Sequence, residues 1–179
     1  MGDDAIQAEL GAPQRSGLSP PAGIDRRLLG VLTLGHFTAD YAHGVVPALL
    51  PFLVIERGYS LSQASTLVLA MVASSSIVQP VFGRLSDLRP MPWLLPLSLI
   101  VSGIGVATIG FLSSYVVTLA VVVLAGFGIA AFHPDSARYV SYVSGGNRAT
   151  GMSVFAVGGN VGFASVSYTH LTLPTTPYV

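Results

Sequence analysis

Three ionisable side chains lie inside one of the most apolar stretches of this sequence. His36, Asp40 and His43 fall in the run GHFTADYAHGVVPALLP, residues 35–51, which is otherwise built mainly from Ala, Val, Leu and Pro. At about 100° per residue on an α-helix, these three side chains and Pro47 lie within a wedge of roughly 60°. Burial disfavours the charged forms of carboxylate and imidazole alike, so such a stripe suits the binding and release of a proton.

Two interpretations of this stripe stay open. Asp40 lies near the middle of a hydrophobic segment, where a charged carboxylate costs at least ~2.5–3.5 kcal/mol and needs a cavity or a partner. It either lines a proton or substrate cavity with His36 and His43, or it is a permanently paired hydrogen-bonding group between helices. We expect no metal site, because the spacing from His36 to His43 covers two helical turns and fits one ion poorly.

The composition indicates that these groups lie in lipid-embedded helices. Charged residues make up 9% of the chain, against about 25% in a typical soluble domain. The expected surroundings are therefore a lipid bilayer. The net charge is zero, so no nucleic-acid partner is expected, and there is no cysteine for disulfides or thiolate metal sites. No phosphate-binding loop is present, and we expect no cofactor.

Five hydrophobic segments predict an all-α, multi-spanning membrane protein. A spanning helix needs about 20 mostly apolar residues. The predicted helices are 28–54, 62–82, 91–112, 115–137 and 149–165, preceded by a disordered tail, residues 1–27. All eight basic residues are arginines, and seven of them, all except Arg57, fall on one side of the membrane. By the positive-inside rule we expect a cytoplasmic N-terminus in the inner (plasma) membrane.

The end of the sequence differs from the rest. Residues 166–179 read VSYTHLTLPTTPYV, polar and rich in Thr and Pro. The string resembles one translated frame of a transposase sequencing adapter. We therefore expect a non-native tail, a gene interrupted within its fifth helix and no site at His170. A native tail is the alternative.

The run GRLSDLRP, residues 83–90, resembles the signature loop of the major facilitator superfamily, with a glycine, an aspartate four residues later and then a basic residue. In that family the loop latches the two halves of the transporter, which implies a gating role for Gly83, Asp87 and Arg89. The match is partial, because Leu88 stands where the family has an arginine. An ordinary charged turn is the alternative.

A further polar group lies late in the fourth segment, in FHPDSAR, residues 132–138. Pro134 is expected to loosen the helix and free backbone groups that need a cavity or neighbours. His133, Asp135 and Arg138 then meet at a gate or substrate exit. Alternatively they mark an interfacial helix end, with Asp135 and Arg138 as a solvated pair.

The fifth segment contains GGNVG, in which two glycines stand four residues apart. Gly158 and Gly162 form a small-xxx-small face for close helix packing. Asn160, between them, either takes part in this packing or faces the cavity.

Four stretches in order resemble the fosmidomycin-resistance branch of that superfamily, over about residues 35–164. They are HFTADYAHGVVPALLPFL, DLRPMPWLLP, FHPDSAR and FAVGGNVGFA. The resemblance implies proton-coupled efflux of a small drug or metabolite by an antiporter, including antibiotic resistance. It also implies two six-helix halves with the substrate, a small molecule, between them. The chain is then an N-terminal fragment that lacks the second half and is inactive alone.

Other functions stay open. The chain could be a native five-helix subunit or scaffold, or part of a major facilitator importer of sugars or organic anions. An intramembrane enzyme using His and Asp is disfavoured, because the sequence has neither a Gly-x-Ser-x-Gly elbow nor a zinc motif. We expect no enzyme.

Overall fold

A computed structural model of the chain describes residues 23–89 and 91–171, with side chains described up to Val166. Most of the predicted N-terminal tail and the last part of the predicted non-native tail lie outside these described residues.

Within the described part of the chain, all regular secondary structure is helical. The helices are α1 (Arg26–Arg57), α2 (Leu61–Ile77), α3 (Gln79–Leu88), α4 (Leu94–Thr108), α5 (Tyr115–Val143) and α6 (Arg148–Leu171). Helices α2 and α3 follow one another as a single span, and a short 3₁₀ turn extends α4. The described residues thus hold five spans long and apolar enough to cross a membrane, which confirms the predicted fold class.

Polar ends make α1 longer than its hydrophobic segment. Asp25 caps the first turn, where its Oδ1 accepts hydrogen bonds from the backbone N–H groups of Arg27 (3.1 Å) and Leu28 (3.0 Å). Gly58, with φ 67°, ends the helix in the left-handed conformation that glycine adopts without strain. Hydrophobicity alone does not detect such polar turns, so the predicted bounds 28–54 are too short.

Helices α5 and α6 also continue past their predicted ends. Pro134 lies inside α5 without ending it, because a proline removes only one backbone donor and can kink a helix that neighbouring helices support. Helix α6 passes the predicted end at residue 165, since residues 166–171 contain neither glycine nor proline. The non-native origin of this tail stays a prediction.

Helix α5 occupies the centre of the bundle. It is the most buried span and packs against every other described helix, whereas α1 packs most extensively on α6. Polar side chains on α5 are therefore enclosed by side chains of several helices.

Two apolar cores fill the bundle, and Asp40 lies on α1 between them. Ala42 belongs to the first core and Ala39 to the second. The first core also contains Val46, Leu53, Leu67, Met71, Val122 and Ile129. The second also contains Leu29, Phe132, Val140, Val143 and Phe155. Apolar side chains cannot pair with a carboxylate, so the polar partners of Asp40 must come from specific side chains on the surrounding helices.

Close packing of α6 on α1 depends on glycine. A Cβ added to Gly158 would lie 2.9 Å from the carbonyl oxygen of Thr33, and one added to Gly162 would lie 2.9 Å from Cα of Phe37. Because these are backbone atoms, a side chain at either position would force the helices apart. The four-residue glycine spacing predicts this kind of packing.

Candidate functional site

Two histidines from different helices contact one carboxylate near the middle of α1. Nε2 of His36 lies 3.3 Å from Oδ2 of Asp40 on the same helix. Nε2 of His133, on α5, lies 3.1 Å from Oδ1 of Asp40, across 93 residues of sequence. His36 is buried and the other two side chains are half-buried. We call these three residues the His–Asp–His cluster.

Backbone carbonyls fix the orientation of both imidazole rings. Nδ1 of His36 lies 2.8 Å from the carbonyl oxygen of Phe155, and Nδ1 of His133 lies 2.8 Å from that of Ile129. A carbonyl oxygen only accepts, so each Nδ1 must donate its proton. In the neutral rings each Nε2 therefore presents a lone pair towards Asp40. The arrangement is favourable only when a proton or another cation lies between these acceptor atoms.

Helix α6 forms one wall of the His–Asp–His cluster. The ring of His36 stacks on Phe155, with ring centroids 4.0 Å apart and planes inclined by 19°. Gly159 lies beside the cluster, so that a Cβ there would collide with a carboxylate oxygen of Asp40 and with the ring of His36. The absence of a side chain at Gly159 leaves room for both groups.

The structure brings together only some of the predicted cavity residues. His36 and Asp40 come together as expected, whereas His43 is half-buried and its ring lies edge-on to Phe163, with centroids 6.0 Å apart. Asn160 is exposed, and its neighbour Gly159 contacts the cluster instead. The double glycine of GGNVG was the only sequence signal for Gly159.

His133 belongs with Asp40 rather than with the predicted gate. The sequence grouped His133 with Asp135 and Arg138 because the three are close along the chain. On α5, however, the ring of His133 extends towards α1, whereas Asp135 and Arg138 contact α3. One helix thus contributes to two separate polar sites.

A second polar cluster joins α3 to α5. Asp135 is fully buried, and its Oδ1 accepts hydrogen bonds from the hydroxyl of Ser86 and from Nη2 of Arg138, the latter at 2.6 Å. Arg138 also donates to Oγ of Ser86 at 2.9 Å and lies 3.6 Å from a carboxylate oxygen of Asp87. We call these four residues the α3–α5 polar cluster. The alternative of a solvated Asp135–Arg138 pair is wrong, because Asp135 has no exposure to solvent.

Asp135 is only partly satisfied in this cluster. Its second oxygen, Oδ2, is buried and has no hydrogen-bond partner among residues 23–89 and 91–171. Ser86 directly precedes Asp87 in the signature-like loop, but nothing in the sequence marked it as a ligand of a carboxylate on another helix.

Two of the predicted gating residues lie beside this cluster rather than in it. Gly83 faces Pro134, but a Cβ there would meet Pro134 Cβ at 3.5 Å, an ordinary contact, so this conformation does not require glycine. Arg89 is exposed at the C-terminal end of α3. The loop therefore contacts α5 through Ser86 and Asp87.

Comparison with known proteins identifies the family. A family model described as Major Facilitator Superfamily matches residues 32–169. The chain belongs to the Major Facilitator Superfamily. The Fosmidomycin resistance protein of Escherichia coli (strain K12) is 33% identical over 135 residues, which cover 75% of this chain and 33% of that protein. The Uncharacterized MFS-type transporter YfnC of Bacillus subtilis (strain 168) is 32% identical over 137 residues, which cover 76% of this chain and 34% of that protein. No solved structure matches the chain with significant similarity.

These matches confirm the predicted superfamily and the resemblance to its fosmidomycin-resistance branch. Superfamily members are transporters, and the five apolar spans fit a multi-pass protein in a lipid bilayer. The chain spans about a third of the length of the curated relatives that it matches. Both polar clusters lie within the matched residues 32–169.

Proposed function

We propose that this chain is the N-terminal part of a proton-coupled antiporter that exports a small drug or metabolite, with the His–Asp–His cluster as its proton-binding centre. The observation that carries the proposal is the meeting of two imidazole Nε2 atoms with the Asp40 carboxylate, at 3.1 and 3.3 Å, between two apolar cores. Ionisable groups inside membrane spans commonly mark proton relays.

The tautomers define where a proton binds. Because both Nδ1–H groups are committed to backbone carbonyls, a proton entering the cluster binds at Nε2 of a histidine or on Asp40. Once bound, it is shared between imidazole and carboxylate and draws His133 towards Asp40. Once released, it leaves a carboxylate facing two lone pairs, and these groups repel.

Proton binding in this cluster acts between two helices. Asp40 and His36 lie on α1, whereas His133 lies on α5. Attraction in the protonated state and repulsion in the deprotonated state change the preferred separation of α1 and α5. A ligand that favours one of two helix arrangements shifts the population towards it, which couples the proton to a conformational change.

The α3–α5 polar cluster acts as a gate in this proposal. It connects the loop that resembles the superfamily's signature to the end of the central helix α5 through Arg138. Opening of that end requires at least the contact between Asp87 and Arg138 to break. Seven of the eight arginines fall on the same side of the membrane as the N-terminus. The positive-inside rule therefore supports an inner-membrane protein with its N-terminus and this gate on the cytoplasmic side.

The substrate proposal rests on the relatives. One relative at 33% identity is a fosmidomycin resistance protein, which supports efflux and makes fosmidomycin the first substrate to test. Because both relatives are about three times as long as the matched region, we propose that the missing second half completes the substrate site. The chain alone then transports nothing, and the protein is a transporter rather than an enzyme.

The test uses the full-length protein in proteoliposomes with an imposed proton gradient. Asp40→Asn is expected to abolish gradient-driven fosmidomycin export, because it removes the charge that binds the proton while keeping the size of the side chain. Transport is measured with labelled drug, and proton flux is measured with a pH-sensitive dye.

Asp25→Asn is the matched control. It makes the same chemical change at the N-cap of α1, where asparagine caps as well as aspartate, and should transport like the wild type. Gradient-dependent export by Asp40→Asn at the wild-type rate would contradict the proposed proton centre. Export of fosmidomycin by neither the wild type nor the control would contradict the proposed substrate.

A further inference from the structure

The His–Asp–His cluster also has the ligand types and spacing of a transition-metal site. Nε2 of His36, a carboxylate oxygen of Asp40 and Nε2 of His133 all lie within 4.8 Å of one another. Imidazole nitrogens and carboxylate oxygens are common ligands of Zn²⁺ and similar ions. The expectation of no metal concerned His36 and His43, and the fold replaces His43 by a histidine from another helix.

The Nδ1 atoms of His36 and His133 make the kind of hydrogen bond that is typical of metal-ligating histidines. Such histidines almost always donate the other ring N–H to a carboxylate, a backbone carbonyl or water, which fixes the tautomer that exposes the ligating lone pair. Both Nδ1 atoms do so at 2.8 Å, to the carbonyl groups of Phe155 and Ile129. The two Nε2 lone pairs are thereby oriented towards the same carboxylate.

Two of the distances between ligand atoms are already close to those around a bound ion. A tetrahedral ion with ligand distances of about 2.0–2.2 Å holds its ligand atoms roughly 3.3–3.6 Å apart. Nε2 of His36 lies 3.3 Å from Oδ2 of Asp40, and Nε2 of His133 lies 3.1 Å from Oδ1 of the same carboxylate. Because Gly159 already packs against Asp40 and His36, these groups have little freedom to move away towards α6.

We propose that the cluster binds one divalent transition-metal ion such as Zn²⁺, through Nε2 of His36, the carboxylate of Asp40 and Nε2 of His133. Three protein ligands leave a fourth position for water or an anionic ligand. The charge of Asp40 offsets part of the charge of the ion. An ion bound here joins α1 to α5. The proposal does not depend on transport, since binding is measured directly.

The test titrates the full-length protein, purified without a polyhistidine tag and freed of metal by a chelator. Zn²⁺ alone is titrated by calorimetry, and Co²⁺ alone is titrated while visible absorption is recorded. We expect one saturable ion per chain and the visible bands of a four-coordinate Co²⁺ site. His36→Gln, Asp40→Asn and His133→Gln should each weaken Zn²⁺ binding by at least about 10–100-fold.

One further histidine variant serves as a matched control. His43→Gln also removes one imidazole and should bind Zn²⁺ with wild-type affinity, because the His43 ring lies against Phe163 and outside the cluster. Absence of a saturable site in the wild type, or loss of binding in the control but not in His133→Gln, would overturn the proposal.

A measurement on the wild type alone covers the case in which a variant fails to fold. X-ray absorption at the zinc edge should show two imidazole ligands together with oxygen ligands. Fewer than two imidazoles in the zinc coordination shell would equally overturn the proposal.

Discussion

Each of the two polar clusters holds a carboxylate at a contact between helices, but the chemistry of the carboxylate's partners differs. In the His–Asp–His cluster the partners of Asp40 are two imidazoles, which change charge by binding or losing a proton. In the α3–α5 polar cluster the partners of the buried Asp135 are Ser86 and Arg138, and a guanidinium does not lose its charge in proteins.

This difference separates a contact whose strength depends on protonation from one in which the arginine keeps its charge. The attraction between α1 and α5 at Asp40 depends on how many protons or other cations the cluster holds. The ion pair between Asp135 and Arg138 on α5 does not depend on the protons in that cluster, and it holds the carboxylate and the guanidinium against Ser86 of α3. We therefore expect changes in the first cluster to alter proton coupling, and loss of the Asp135–Arg138 pair in the second to lower stability in addition to any effect on opening.

The largest effect on stability is expected from Arg138→Ala. Removing one partner of a buried ion pair typically costs about 3–5 kcal/mol, because the other charge is left uncompensated. Here that charge is Asp135, which is fully buried and has one oxygen without a partner among the described residues. Because the Arg138 side chain is 34% exposed, the loss should lie towards the lower end of this range. Thermal unfolding in detergent should show a large fall in Tm.

A double variant isolates the cause of that loss. Asp135→Asn together with Arg138→Ala removes the stranded charge, so this protein should unfold at a higher temperature than Arg138→Ala alone. Equal Tm values for the two proteins would show that Arg138 stabilises through packing rather than through the carboxylate.

Gly159→Ala is expected to have an intermediate effect, which should be on the rate of transport rather than on stability. The new methyl group collides with side-chain atoms of Asp40 and His36 rather than with backbone atoms. The cluster then loses its geometry while α6 keeps a good helix former. Gradient-driven export should fall at least about tenfold, with little change in Tm.

Gly83→Ala is the matched control on the other cluster. Its methyl group makes an ordinary contact at 3.5 Å with Pro134, so the free energy of unfolding should stay within about 0.5 kcal/mol of the wild type. A large fall in Tm for Gly83→Ala would show that steric room at Gly83 matters after all. Wild-type transport by Gly159→Ala would contradict the importance of the cluster geometry.

The smallest effect on stability is expected from Asp87→Asn. Asp87 is largely exposed and lies 3.6 Å from Arg138, and exposed ion pairs contribute only about 0–1 kcal/mol. Chemical denaturation should therefore give nearly the wild-type midpoint. A loss as large as that of Arg138→Ala would show that Asp87, and not Asp135, is the main partner of the arginine.

Sequence periodicity predicts which side chains share one face of a helix, but it does not predict which residues of other helices pack against that face. His36 and Asp40 are one turn apart, so their contact on α1 follows from the helical repeat alone. His133 is 93 residues from Asp40, and its contact depends on how α5 is rotated and tilted against α1. For the same reason the sequence grouped His133 with Asp135, which is two residues further along the chain, although the two side chains belong to different clusters.

Composition and hydrophobic runs determined the membrane class and the number of spans, and short motifs indicated the family by resemblance, because all of these depend on residue type and order alone. They also identified Asp40, since a carboxylate in an apolar span needs a reason to be there. Only the tertiary structure decided which groups surround it. Interhelical contacts arise from side-chain packing over the whole bundle, so Gly159 and His133 became neighbours of Asp40 only when α1, α5 and α6 came together.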